Sequence, residues 1–319
     1  MEFSALGHDR QKRLLASLVE KGRLPHALLF AGPKGVGKRT TAVELVTNLF
    51  CSEGRVCAAC RGCRSLAAGT HPDFRSITGE ASIKIDAVRA IAKECYEPPF
   101  EAPLRVVLLD DADLMTNEAA NALLKTLEEP PPSNLFILVS SREQEVPLTV
   151  RSRCMRIGFG PLPTSLVESY FEEAAGLPPQ KAADLARLAG GSIAAGLFWA
   201  DEENYRMRGR IAELIAGRGG SSAGASVIAE RMAAKGCEME YLSFLLTFFR
   251  DVWWLRSTGY DSGLVNADLA GAVREGAAAG ARWVDASIGR VMEMIRTLRY
   301  NVNRWLALEN MLLHLMRPV

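Results

Sequence analysis

The stretch "HALLFAGPKGVGKRTT", residues 26–41, constrains this chain more than any other. A short apolar run is stopped by glycine and followed by a helix-forming segment to about residue 50. Gly32 to Lys38 fill the first seven of the eight places of the phosphate-binding pattern G-x-x-x-x-G-K-[ST], with Gly32, Gly35, Gly37 and Lys38 in their expected positions. A glycine-rich turn between a strand and a helix aims consecutive backbone N–H groups at an anion, and Lys38 would reach the β- and γ-phosphates. The eighth place should supply a magnesium-ligating hydroxyl but holds Arg39. Thr40 does not replace it, because one residue along a helix is a turn of about 100°.

The first half alternates strand-like and helix-like segments. "LRVVLLDDAD" is a continuous apolar run ending in acids, the pattern of a strand buried on both faces. "TNEAANALLKTLEEPPP" predicts a helix that Thr116 or Asn117 caps and that Pro130 to Pro132 stop. "NLFILVSS" predicts another buried strand. Strands alternating with helices imply a mostly parallel sheet covered by helices.

After about residue 160 the pattern contains helices and no convincing strand. Residues 217–224 are rich in Gly and Ser and predict a loop. "EYLSFLLTFFRDVWWLRS" is apolar nearly all round, which predicts a helix buried among others. In the last helix Trp305, Leu308, Leu312 and Leu315 share a face, and the aromatics of this half are expected in the core. The expected division is an α/β domain over 1–160, a small helical domain over 161–205 and a helical bundle over 206–319.

Three further elements carry chemistry. Asp110 is the acid at a strand end that helps hold magnesium in P-loop ATPases, and the water-orienting Glu that follows it there is Asp111 here, one methylene short. A hydroxyl at the tip of the next strand, Ser140 or Ser141, could contact a γ-phosphate. Of seven cysteines, four (Cys51, Cys57, Cys60 and Cys63) fall within thirteen residues. Four thiolates at short spacing suit a closed, structural zinc site. Cys95, Cys154 and Cys237 read as small buried apolar residues, and His71 as a loop residue before Pro72.

A formal net charge of +1 means that any DNA contact has to come from a local patch, for which Arg10, Lys12 and Arg13 are candidates. No apolar run approaches the roughly 18 residues of a membrane span. The N-terminal residues lack the apolar core of a secretory signal, so the expected location is cytoplasmic, where thiols stay reduced.

These elements, in this order, resemble the clamp-loader branch of the AAA+ ATPases. The resemblance rests on "LPHALLFAGPKGVGKRTTA", the four-cysteine insert, "HPDF", "RVVLLDDADLMTNEAANALLKTLEEPP" and "PLTVRSRC". It is strong over residues 5–160 and fair over 161–200. It implies an AAA+ fold with a helical lid and an all-α collar, and a role in bacterial replication within DNA polymerase III. The expected partners are gamma/tau and delta subunits in a hetero-oligomer, with the sliding clamp and primed DNA reached through that assembly.

The family holds two functional types, the ATP-hydrolysing gamma/tau motor and the fixed delta-prime subunit. In such assemblies one subunit supplies an ATP pocket and its neighbour inserts an arginine finger from a Ser-Arg-Cys motif. On the receiving side three groups are missing: the magnesium hydroxyl (Arg39), the water-orienting Glu (Asp111) and the lid arginine, where Ala194 and Ala195 follow "GSI". On the giving side Ser152-Arg153-Cys154 is intact. The resemblance therefore implies a delta-prime-type subunit that donates Arg153 in trans. With no polymerase and little or no ATPase of its own, it would bind ATP, if at all, without hydrolysing it. The alternative is a gamma/tau-type motor.

Overall fold

A computed structural model describes residues 1–79, 82–217, 221–298, 300 and 302–316. The chain falls into two compact units, one of residues 1–167 with 191–193, the other of 168–190 with 194–319.

In the first unit, helices and strands follow in the order α1 (Asp9–Glu20), β1 (Ala27–Ala31), α2 (Lys38–Phe50), α3 (Arg61–Ala67), β2 (Phe74–Thr78), α4 (Ile85–Glu94), β3 (Arg105–Asp110), α5 (Asn117–Glu128), β4 (Asn134–Ser140), α6 (Leu148–Arg151) and β5 (Met155–Gly158). The strands form one parallel sheet in the order β2-β3-β4-β1-β5. The expected strands at 26–32, 104–110 and 134–141 are its three central members, buried on both faces.

Period-two alternation sorts their side chains into two cores. Ala27, Leu29, Val107, Leu109, Phe136 and Leu138 face α4 and α5, while Leu28, Phe30, Val106, Leu108, Leu135 and Ile137 face α1 and α2. The edge strands β2 ("FRSIT") and β5 ("MRIG") were not anticipated. They are short, interrupted by polar residues and only partly buried, so no apolar run announces them. Helix α5 starts as expected, with the Thr116 hydroxyl accepting from Ala119 N at 3.2 Å.

Among its described residues the second unit contains helices and no strand. Its helices are α7 (Thr164–Glu173, whose first turn lies in the first unit), α8 (Pro179–Ala189), α9 (Ile193–Ala200), α10 (Glu202–Ala216), α11 (Ser222–Ala233), α12 (Glu238–Thr258), α13 (Ala270–Ala278), α14 (Ala281–Thr297) and α15 (Arg304–Leu315). The expected loop at 217–224 is shorter than foreseen. Gly217 ends α10 in a left-handed conformation, residues 218–220 lie outside the described residues, and Ser221 caps α11 by accepting from Gly224 N at 3.1 Å. Serine there starts a helix rather than prolonging a loop.

Tyr241, Phe244, Phe248 and Phe249 of α12 are buried as expected. Trp253 and Trp305 are not: they are 51% and 42% exposed, Trp305 donating its indole N–H to Ser226 O of α11 at 3.3 Å. A polar core sits among the apolar one. The guanidinium of Arg208, fully buried, bonds Asn266 Oδ1 at 3.0 Å, pairs with Asp268 and lies 4.5 Å over the Tyr205 ring.

Candidate functional site

Parallel strands bring their C-terminal ends together, and the loops that leave them form the usual ligand crevice of such sheets. Gly32 to Lys38 follow β1, Asp110 ends β3 and Ser140 ends β4. The loop keeps its shape: Gly35 and Gly37 have φ of 75° and 101°, and a Cβ on Gly32 would lie 2.0 Å from Phe159 O. His8 braces the loop from α1, with Nε2 2.8 Å from Val36 O and its ring 4.8 Å from that of Phe159.

The charged groups of the crevice are engaged with one another and with the loop. Lys38 is buried, and its Nζ donates to the loop's own carbonyls, Gly32 O at 2.7 Å and Pro33 O at 2.6 Å. Burial lowers its pKa, opposed by Asp110, Asp111 and Asp113. Arg39 reaches across the crevice, and Nη1 lies 2.8 Å from Asp110 Oδ2 and 3.1 Å from Thr78 Oγ1. A guanidinium thus occupies the carboxylate on which a magnesium ion would depend. Thr40 is exposed. Asp111 adopts a left-handed conformation (φ 53°), and its pKa is raised, first by burial and then by Asp110 and Asp113.

Ser140 is fully buried and its hydroxyl donates to Asp113 Oδ1 at 2.6 Å, while Arg142 Nε holds the other carboxylate oxygen at 3.0 Å. Asp113 is a site residue that motif reading passed over. Its signal was the third acid of "DDAD", and only the tertiary contact with Ser140 shows what it does.

Arg153 lies in the turn between α6 and β5. Nη1 donates to Thr149 O at 2.8 Å and Nη2 to Glu128 Oε1, at the end of α5, at 2.5 Å. Ser152 Oγ donates to Thr149 O at 3.1 Å. Cys154 packs its thiol against the core, and burial pushes its pKa up to about 12, which disfavours the thiolate. An open recess of about 430 Å³ is lined by His26, Leu127, Glu128, Ser152 and Arg153.

The four clustered cysteines converge between α2 and α3. Cys57 and Cys63 sulfurs are 3.9 Å apart, as are those of Cys51 and Cys60, and all four lie within 4.8 Å of one another. Tetrahedral ligation at about 2.3 Å requires sulfurs about 3.8 Å apart, so the set could hold a metal ion such as zinc. Backbone N–H groups of Cys60 and Cys63 donate to the sulfurs of Cys57 and Cys60. Cys60 is held down to about 6 by the backbone of Cys63 and then of Ser52, which favours a thiolate. His71 is outside the set: buried against the Phe50 ring, it accepts from Asp73 N through Nδ1 at 3.1 Å and faces Glu101 at 3.5 Å.

Among the described residues no helix is long and apolar enough to cross a membrane. Residues 7–163 match the family described as "DNA polymerase III, delta subunit". DNA polymerase III subunit delta′ of Bacillus subtilis is 36% identical over 167 residues, 51% of each chain. The gamma/tau subunit of Mycoplasma pneumoniae is 30% identical over 204 residues, 62% of this chain and 30% of that one. The chain thus spans about half or less of the length of these relatives. A DNA polymerase III gamma subunit-related protein of Thermotoga maritima shares the fold, with a TM-score of 0.50 and 18% identity over 96% of this chain and 99% of that one. Over residues 7–163, which carry the phosphate loop, both strand-end acids and the Ser152-Arg153-Cys154 turn, the chain belongs to the clamp-loader family of delta-prime and gamma/tau subunits.

Proposed function

We propose that the chain is a delta-prime-type subunit, the fixed member of a clamp loader that places a sliding clamp on primed DNA. In this reading it stands beside a gamma/tau motor and donates Arg153 to the ATP held there. The observation that carries the reading is the Arg39–Asp110 pair at 2.8 Å. It takes up the acid that would help hold magnesium, and magnesium would supply the charge neutralisation on which phosphoryl transfer depends. Asp111, short by a methylene, and Ala194, in the place of the lid arginine, remove two more contacts. Each transition-state contact of this kind is worth about 3–4 kcal/mol. The surviving glycines and Lys38 are compatible with nucleotide binding without turnover.

The giving side is supported by the intact Ser152-Arg153-Cys154 turn beside an open recess. A finger supplied in trans is worth about 10³- to 10⁵-fold in related NTPases. The cysteine set is proposed to hold one structural zinc ion, whose four thiolates leave no open position for catalysis. Residues 161–205 are proposed as the lid and 206–319 as the collar that packs with the other subunits.

Two measurements test the reading. Arg153→Ala is expected to leave the chain folded and co-purifying with gamma/tau and delta subunits, while lowering the ATPase of the reconstituted assembly at least about 10³-fold at the finger's interface. Unchanged turnover would remove the finger assignment. The isolated chain is expected to show negligible ATPase, and robust magnesium-dependent hydrolysis would place it among the gamma/tau motors instead.

A further inference from the structure

We infer that Glu128 is a positioning residue for Arg153, an inference that rests on the finger reading above. The guanidinium is fixed at two points from two elements. Nη1 is held by Thr149 O at 2.8 Å, within the finger's own segment, and Nη2 by the Glu128 carboxylate at 2.5 Å, at the C-terminal end of α5. The Arg153 side chain is 34% exposed and lines the same recess as Glu128, Ser152 and His26. Cys154, packed in the core, fixes the chain immediately behind it.

A guanidinium carries five N–H donors; besides the two fixed points, Nη1 also lies 3.4 Å from Ser152 Oγ, and the remaining donors are left for phosphate oxygens. An ion pair with a half-exposed carboxylate adds little to folding stability. What it supplies is orientation: a long, flexible side chain is held in one conformation before the neighbour's nucleoside triphosphate arrives. A donor set in advance costs no reorganisation when charge develops on the transferring phosphoryl group. The sequence hint is the "LEEPP" that ends α5, since the proline run fixes where the helix stops and so where Glu128 points its carboxylate.

The test uses the reconstituted loader with clamp and primed DNA, carrying Glu128→Ala, Glu128→Gln, Arg153→Ala or the Glu128→Ala/Arg153→Ala pair. Clamp- and DNA-stimulated ATP turnover, the thermal midpoint of each variant chain and its co-purification with the other subunits are measured. Glu128→Ala is expected to lower turnover about tenfold with midpoint and assembly unchanged. Glu128→Gln, which keeps an acceptor oxygen, recovers most of that loss. In the Arg153→Ala background Glu128→Ala adds nothing.

Three results would overturn the inference while leaving the finger in place: no loss with Glu128→Ala, a gain in turnover (a latch holding the finger back), or the same loss in both backgrounds. Normal turnover with Arg153→Ala would instead remove the finger reading itself, whatever Glu128 does.

Discussion

On the proposed reading, the side chain of Arg39 changes what an otherwise ordinary phosphate loop can do. Threonine or serine there would present a hydroxyl to a metal, whereas arginine spans to Asp110 and Thr78 and closes the position with its own charge. On the delta-prime reading, Arg39→Thr alone is expected to leave the isolated chain without ATP hydrolysis, because Asp111 remains. Phosphate release with magnesium present checks this. Asp73 is fully buried, and its carboxylate accepts from the backbone N–H groups of Phe100, Glu101 and Ala102 at 2.6–2.9 Å. Burial alone would raise its pKa, but these bonds hold it below the usual value. Asp73→Ala should cost about 2–3 kcal/mol, read as a lower denaturant midpoint.

Beside it, His71 accepts from Asp73 N only while neutral, and burial lowers its pKa against the pull of Glu101 and Asp73. The unfolded chain binds that proton more readily than the folded one, so this contribution is full above the ordinary histidine value. It is lost as pH falls below about 6.5. His71→Gln should flatten the pH dependence of stability in that window.

Among elements, the cysteine module and the edge strands mark the two limits of reading a sequence. Four thiols in thirteen residues announce a ligand set because only a short, folded-back segment can bring them together. The structure adds why the segment folds back: Gly62 lets α3 start against the end of α2, where a Cβ would meet Phe50 O at 2.3 Å. Chelation is expected to lower the thermal midpoint and expose residues 51–67 to protease, and metal analysis of reduced protein should give about one zinc per chain. Strands β2 and β5 had no comparable signal. Each is a handful of residues with arginine or serine among them, and each is a strand because a central neighbour offers it a ladder of hydrogen bonds. Thr78, which bonds Arg39, lies on one of them, so that half of the Arg39 contact was out of reach of motif reading.

Over the whole molecule, each unit buries charge only with partners: the sheet-based unit buries Asp73 under three backbone N–H groups, and the helical unit buries Arg208 completely beside Asn266 and Asp268. Arg208→Ala would leave Asp268 and Asn266 without their buried partner and is expected to cost about 3–5 kcal/mol, visible as loss of helical signal at a lower temperature. Nothing in the spacing of Arg208 and Asp268, sixty residues apart, pointed to this pair.

The sheet's central strands, the phosphate loop, the cysteine set and the Ser-Arg-Cys turn are legible in the chain without its fold. These depend on local composition, on period and on short spacings, which one chain displays directly. That Arg39 closes on Asp110, that Asp113 takes the hydroxyl of Ser140 and that Glu128 holds Arg153 is visible in the folded chain alone. Those are contacts between residues distant in the chain, made by side chains whose reach and charge become specific once the sheet has set their distances.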